Sequence, residues 1–559
     1  MKSPRRPAGS TAGGVLLAAA LGLLAMPAPP ARAAATSNLF EQAGWTTPEG
    51  KLDRIVFRRL AKLGVTPVPC SDAVFLRRAH LDVIGTLPTA DEARAFLQDP
   101  SPAKRTALID RLLARPEYAD YWAMKWSDLL RVKAEFPVNL WPNAAQAYHH
   151  WIRTAVRDNL PYDQFARTLL TANGSNFRVG PANFYRAVQN RTPEGIAATV
   201  ALTFLGARAE AWPTNQLAGM AAFFAQVSYK PTREWKEEIV FWNPDKDLAA
   251  ALTNVVAGDR SVAPPSGTNV RAAASSCVAV FPDGKKVALT GERDPRELFA
   301  DWLITPKNPW FTPALANRAW SWLLGRGIVH EPDDLRPDNP PANPELLAYL
   351  QKEFVAGGYD LKRLLRLILT SRTYQQSALH PPPAGSAAAA NFAGYPLRQL
   401  DAEVLIDALN RITGSTELYT SPIPEPFTFI PENQPAIALP DGSITSPFLE
   451  LFGRPARATG QEGERANRPS GPQRMYLLNS TQIQRKLAES APLRALIEPG
   501  RPRRAVVEDL YLTILSRFPT EDEWHIAKRY AEASTGKGRE AWLDLAWALI
   551  NTDEFRMRH

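Results

Sequence analysis

Five residues on one proline-rich loop have the types that acid–base or cation chemistry needs: Asp333, Asp334, Arg336, Asp338 and Asn339. Paired carboxylates beside an arginine can hold a divalent cation or share proton transfer as acid and base. The same residue types close turns and cap helices, and Arg336 can neutralise its neighbours, so a structural ion-pair network is the competing reading. Asp333, Asp334 and Asp338 are the candidate catalytic residues. Upstream, Asn317 and Arg318 fall in an apolar, helix-like segment after Pro313. An arginine in such a place pairs with a carboxylate from another helix, Asp334 or Glu403, or grips an anionic sugar or sulfate through its planar fork. Asn317, Arg318, Arg336, Asn339 and Glu403 are therefore the candidate ligand-binding residues.

His149-His150 could supply a ligand or a base. Neighbours on a helix point about 100° apart, so the two cannot easily share one metal. His80, His330 and His525 have no partner nearby in sequence. Of the fifteen tryptophans, Trp122/Trp126 and Trp320/Trp322 could form sugar-stacking platforms. The near-helical spacing of Trp122/Trp126 and Trp542/Trp547 points first to core packing. A serine-nucleophile elbow, a phosphate loop and a dinucleotide fingerprint are all missing. No metal site and no cofactor are expected from these residues.

The elements that must position these groups are mainly helical. From Leu52 to about Phe224, apolar residues such as Ile55, Leu60 and Leu63, then Leu108, Ile109, Leu112 and Leu113, recur at spacings of three and four. Thr89 before Ala90-Asp91-Glu92, and Ser101-Pro102 before Lys104, mark helix starts. Residues 227–292 change character, with short β-type runs at Ile239 to Trp242, Val278 to Phe281 and Lys286 to Leu289. Pro282-Asp283-Gly284 supplies a turn between the last two, and Gly258 to Thr268 reads as a mobile loop. Helical periodicity returns from Pro295 to Tyr374, from Leu400 to Ile412 and from Gln473 to Phe555. A long Pro/Gly-rich loop over 413–471 separates the last two. The expected architecture is mainly α: multi-helical N- and C-terminal domains (38–226 and 293–559) with a small β-rich insert (227–292) between them.

At the start of the chain, Lys2, Arg5 and Arg6 precede a short apolar run from Val15 to Met26. Three prolines and Ala31-Arg32-Ala33 follow. This order describes a secretory signal over residues 1–33, and the run is shorter than the roughly 20 apolar residues a membrane span wants. The expected location is the periplasm or the extracellular space. Without residues 1–33 the formal charge falls from +8 to +4, with no basic block. That argues against nucleic acid as a partner. Cys70 and Cys277, the two cysteines, could pair in an oxidising compartment or stay as separate buried thiols.

Several phrases occur together in order: Leu76-Arg77-Arg78-Ala79-His80-Leu81-Asp82, Asp110-Arg111-Leu112-Leu113 followed by Trp122, Trp126 and Asp128, and Pro161-Tyr162-Asp163. Later come Asn317-Arg318-Ala319-Trp320, Asp333-Asp334-Leu335-Arg336, Ser371-Arg372-Thr373-Tyr374, Arg398-Gln399-Leu400-Asp401-Ala402-Glu403 and Phe452-Gly453-Arg454-Pro455. Together they resemble planctomycete-type secreted proteins in which a cytochrome-associated domain of unknown function, 1549, is followed by domain of unknown function 1553. The resemblance implies a C-x-x-C-H stretch after Phe204-Leu205-Gly206. Here Ala207-Arg208-Ala209-Glu210-Ala211-Trp212 stands instead, with no cysteine or histidine. Thr459-Gly460-Gln461-Glu462-Gly463-Glu464-Arg465 replaces a Cys-x-Cys before the Glu-Arg pair, and Asn343 replaces a histidine. Haem attachment needs two thiols and an axial ligand, so a haem role borrowed from the relatives does not transfer.

The expected function is an exported envelope protein acting as a non-haem binding or scaffold component, with an envelope protein or a glycan as partner. The alternatives are an extracellular polysaccharide-acting enzyme using the carboxylate/arginine cluster and a structural, self-associating envelope protein. Each is separable by the geometry of Arg318, Asp334, Arg336 and Glu403.

Overall fold

The computed structural model describes residues 39–42, 49–246, 277–466, 468–498, 500–534 and 538–559. The proposed signal (1–33) and the loop Gly258 to Thr268 lie outside the described residues. The N-terminal part builds helices α1 (Lys51–Lys62), α2 (Asp72–Val83), α3 (Ala90–Gln98), α4 (Lys104–Ala114), α5 (Pro116–Leu129), α6 (Pro142–Arg157), α7 (Tyr162–Leu170), α8 (Pro193–Val200) and α9 (Thr214–Ala221). After the insert come α10 (Pro295–Leu303), α11 (Phe311–Leu324), α12 (Pro344–Ala356), α13 (Leu361–Leu369) and α14 (Ala402–Thr413). The C-terminal part holds α15 (Gly471–Asn479), α16 (Thr481–Glu489), α17 (Arg503–Leu515), α18 (Glu521–Ala533) and α19 (Gly538–Ile550). The protein is mainly α, with small sheets only.

Local chemistry explains several boundaries. Thr89 accepts the Glu92 amide and Glu92 returns the bond to Thr89 N, a capping box that starts α3. Ser101 sits just outside α4, where its hydroxyl accepts the Ala103 amide. Asn343 accepts the Leu346 amide and starts α12, so it fills a capping role.

In the insert, β2 (Val227–Pro231) and β3 (Glu238–Trp242) form an antiparallel hairpin. The two-residue strand β1 (Gly174–Ser175), from the helical body, pairs with β3. Strands β4 (Cys277–Val280) and β5 (Lys286–Leu289) form a second hairpin. Its turn needs Gly284 at φ +85°, a left-handed conformation that glycine adopts without a Cβ penalty. Over 413–471 the chain is irregular apart from a helical turn at Pro447–Leu451 and single 3₁₀ turns at Ala436–Ala438 and Glu462–Glu464.

The N- and C-terminal parts do not keep separate cores. One apolar cluster runs from Leu52 on α1 through Trp122, Trp320 and Ile406 to Phe555. Trp322 meets both Trp122 (5.6 Å) and Trp126 (5.9 Å) edge-to-face, a preferred aromatic geometry. These tryptophans are core and not sugar platforms. Strand β6 (Arg398–Gln399) pairs with β7 (Met557–Arg558), bringing the last residues back beside α14.

Candidate functional site

The sequence candidates do not converge. Arg318, on α11, is 1 % exposed, as is Asp333, and the two pair at 2.9 Å. Arg318 also donates to the carbonyls of Thr203 (2.5 Å) and Leu202. Those carbonyls belong to a wide π-type turn, Ala201–Leu205, that extends α8 and ends at Gly206 with φ +60°. Carbonyls at a helix C-terminus lack intrahelical partners and carry partial negative charge, so a cation is well placed there. Asp333 completes the arrangement by accepting the Glu462 amide at 2.7 Å. Arg318 therefore pairs with Asp333, and not with Asp334 or Glu403. Both terminal nitrogens of its guanidinium are engaged by protein groups. Asn317 is similarly closed, exchanging two hydrogen bonds of 2.9 Å with Val329.

Asp334, Arg336 and Asp338 lie on the loop surface. Arg336 reaches Asp334 at 3.0 Å and Asp338 at 3.3 Å. Asn339 donates to the carbonyls of Asp334 (2.9 Å) and His330 (3.1 Å) and holds the turn. Glu403, fully buried on α14, pairs with Arg465 at 2.7 Å and Arg454 at 3.4 Å. Cys70 is buried with a free thiol. Cys277 opens β4, and its side chain lies outside the described residues. Among the described residues, no three His, Cys, Asp or Glu side chains are grouped to hold a metal ion.

A buried ion network absent from the sequence reading surrounds Glu403. Arg465 bridges Glu403 to Asp128 on α5 at 2.6 Å, and Asp128 accepts from Arg457 at 2.9 Å. Asp401 accepts from Lys125 (2.9 Å) and Arg558 (2.8 Å). Arg558 continues to Asp82 on α2 at 3.0 Å, and Asp82 accepts from the hydroxyls of Tyr374 (2.7 Å) and Tyr395 (2.9 Å). Burial alone would raise the Asp401 carboxyl, but Lys125, Arg558 and Arg465 hold it well below the usual carboxylate range. Glu403 is depressed in the same way, with burial opposed by Arg465 and Arg454. These are fixed, ionised groups satisfied by protein partners. Asp82, Asp128, Asp401, Glu403 and Arg454 all stand in the recurrent sequence phrases, which was the available signal. The partners were not legible, because they lie from about fifty to several hundred residues away.

An open cleft of about 380 Å³ lies between α6 and the loop that follows α14. Gln146, His149 and His150 line it from the helix, and Phe429, Ile430 and Gln434 from the loop. Of the adjacent histidines, His149 is buried (6 % exposed) and His150 exposed, as their angular separation on a helix requires. Burial, then the positive charges of Arg457 and Arg153, push the His149 imidazole down to about 3, so it is neutral at physiological pH. Its Nε2 is shielded from solvent and has no hydrogen-bond partner. The loop side is held by Asp407 of α14, whose carboxylate accepts the amides of Ala436 (2.8 Å) and Ile437 (3.0 Å). His80, by contrast, is closed onto the Leu76 carbonyl at 2.9 Å.

Two family models match, in the order the sequence phrases imply. PSCyt2, "Protein of unknown function (DUF1549)", covers residues 51–228, and PSD1, "Protein of unknown function (DUF1553)", covers residues 295–531. The chain carries a DUF1549 segment followed by a DUF1553 segment. Among curated proteins and solved structures, none matches this chain.

The buried ion network spans both portions. Asp82, Lys125 and Asp128 come from the DUF1549 portion, and Asp401, Glu403, Arg457 and Arg465 from the DUF1553 portion. The cleft spans them as well, with its histidines on the DUF1549 side and Phe429 and Gln434 on the DUF1553 side. In the segment Thr459 to Arg465, Glu464 accepts the Ala458 and Thr459 amides, and Trp322 donates to Glu462 at 3.1 Å. Side-chain carboxylates organise this segment. Among the described residues, no helix is long and apolar enough to cross a membrane.

Proposed function

We propose that this DUF1549–DUF1553 protein is exported and acts at the cell envelope as a non-haem binding or scaffold component. One observation carries the reading. The residues best suited to catalysis are neutralised by protein partners, Asp333 by Arg318 and Glu403 by Arg465 and Arg454, while an open cleft elsewhere is lined by no aspartate, glutamate, lysine or arginine. A charged group sealed in this way is costly to free, which suits a rigid binding body better than a proton-transfer centre. The N-terminal pattern supports export, and the absence of cysteine and histidine from Ala207 to Trp212 supports a haem-free role. An enzyme acting through Asp334, Arg336 and Arg318 would need Arg318 to leave two carbonyls and Asp333.

The test is direct. Expressed with its full N-terminus, the protein should appear in the periplasmic or secreted fraction, shortened by the leader. Denatured and reduced, it should show no Soret absorbance. Retention in the cytoplasm, or covalent haem surviving denaturation, overturns the proposal.

A further inference from the structure

The cleft between α6 and the 429–444 loop has a lining whose chemistry narrows its ligand. It contains no aspartate, glutamate, lysine or arginine, so no carboxylate, ammonium or guanidinium in the lining pairs with a ligand charge, and burying an unpaired charge is costly. Its polar groups are the amides of Gln146 and Gln434 and the imidazoles of His149 and His150. Each of these both donates and accepts, as a hydroxyl does. Between them lie apolar surfaces, including Ile430 and the Phe429 ring, which is 68 % exposed. Its ring face offers flat apolar area on which a ligand can stack. Phe427, two residues earlier, packs on Trp141 at 5.2 Å just before α6 and extends the aromatic surface. A volume of about 380 Å³ is in the range of small-molecule sites.

Main-chain recognition of an extended peptide is poorly served here. The Ala436 and Ile437 amides at the rim are already taken by Asp407, and Pro431 and Pro440 have none.

We propose that this cleft binds a neutral saccharide of one or two rings, with Phe429 under a ring face and Gln146, His150 and Gln434 hydrogen-bonding its hydroxyls. This rests on the binding reading above and names the ligand class for it. Calorimetric titration of the purified full chain with maltose, cellobiose and diacetylchitobiose should give a saturable signal for at least one sugar. Phe429→Ala, a change at an exposed side chain, should weaken that binding about tenfold or more with the far-UV spectrum unchanged. Gln146→Ala, at a second exposed lining residue, should weaken binding as well. No saturable heat with any of the three sugars overturns the proposal. So does binding indifferent to Phe429→Ala, or saturation only by a proline-rich peptide. Such a failure leaves the non-haem reading intact, because that reading is decided by absorbance and cell fractionation.

Discussion

Arg558, one residue from the end of the chain, sets its guanidinium between Asp82 and Asp401, at 3.0 Å and 2.8 Å. All three side chains are at most 3 % exposed. The pairing joins α2 to the start of α14 through a strand of two residues. Replacing Arg558 with methionine leaves two buried carboxylates short of a partner. Loss of one member of a buried pair typically costs about 3–5 kcal/mol. Urea denaturation should show a fall of that order, and Arg558→Lys should recover only part of it, since an ammonium cannot reproduce the two-sided fork.

The Arg318–Asp333 pair gives a second test. If it serves architecture, Arg318→Met and Asp333→Asn should each destabilise by about 3–5 kcal/mol. The double variant should lose less than the sum of the two, because each single change strands the other partner. Neither change should alter saccharide binding at the cleft in the protein that remains folded. A stable Arg318→Met variant with altered binding would return Arg318 to the functional site.

Asp407 makes stability depend on pH. Burial, against the Ile437 and Ala436 amides, raises its carboxyl from 3.8 to about 7. The folded chain therefore holds a proton that the unfolded chain has released. Its stabilising effect is full below the unfolded value of 3.8 and is lost as pH rises towards about 7. Over that window stability should fall by up to about 1.4 kcal/mol per pH unit. Asp401 and Glu403, with depressed values, act in the opposite sense: their contribution is present above the unfolded values and is lost as acid protonates them. Thermal melts of the protein and of Asp407→Asn between pH 4 and pH 8 check this, and the variant should lack the decline.

Helix starts, the β4–β5 hairpin and the irregular segment between α14 and α15 were legible because their causes are local. Thr89 and Glu92 are three residues apart, and Pro282-Asp283-Gly284 is contiguous. The site was legible only in fragments. Asp82, Asp128 and Glu403 stand in recurrent phrases, yet Arg558 is 476 residues from Asp82 and Arg457 is 329 from Asp128. Periodicity carries no signal for such pairs. The choice between Asp333 and Asp334 as partner of Arg318 also depends on which carboxylate the loop turns inward, which the sequence of two adjacent acids does not express. His149 could be separated from His150 by helix geometry, but the wall facing it comes from a loop without a period to read.

The two family segments share one apolar cluster and one set of buried charges. Neither is a portable module. A gene fragment ending near residue 228 would yield a half-core with Asp82 and Asp128 stripped of their cations, and the complementary fragment would leave Arg457 without its carboxylate partner. Recombination that separated them would yield two insoluble halves, so the pair is expected to be inherited intact, with variation confined to the 227–292 insert and the exposed loops.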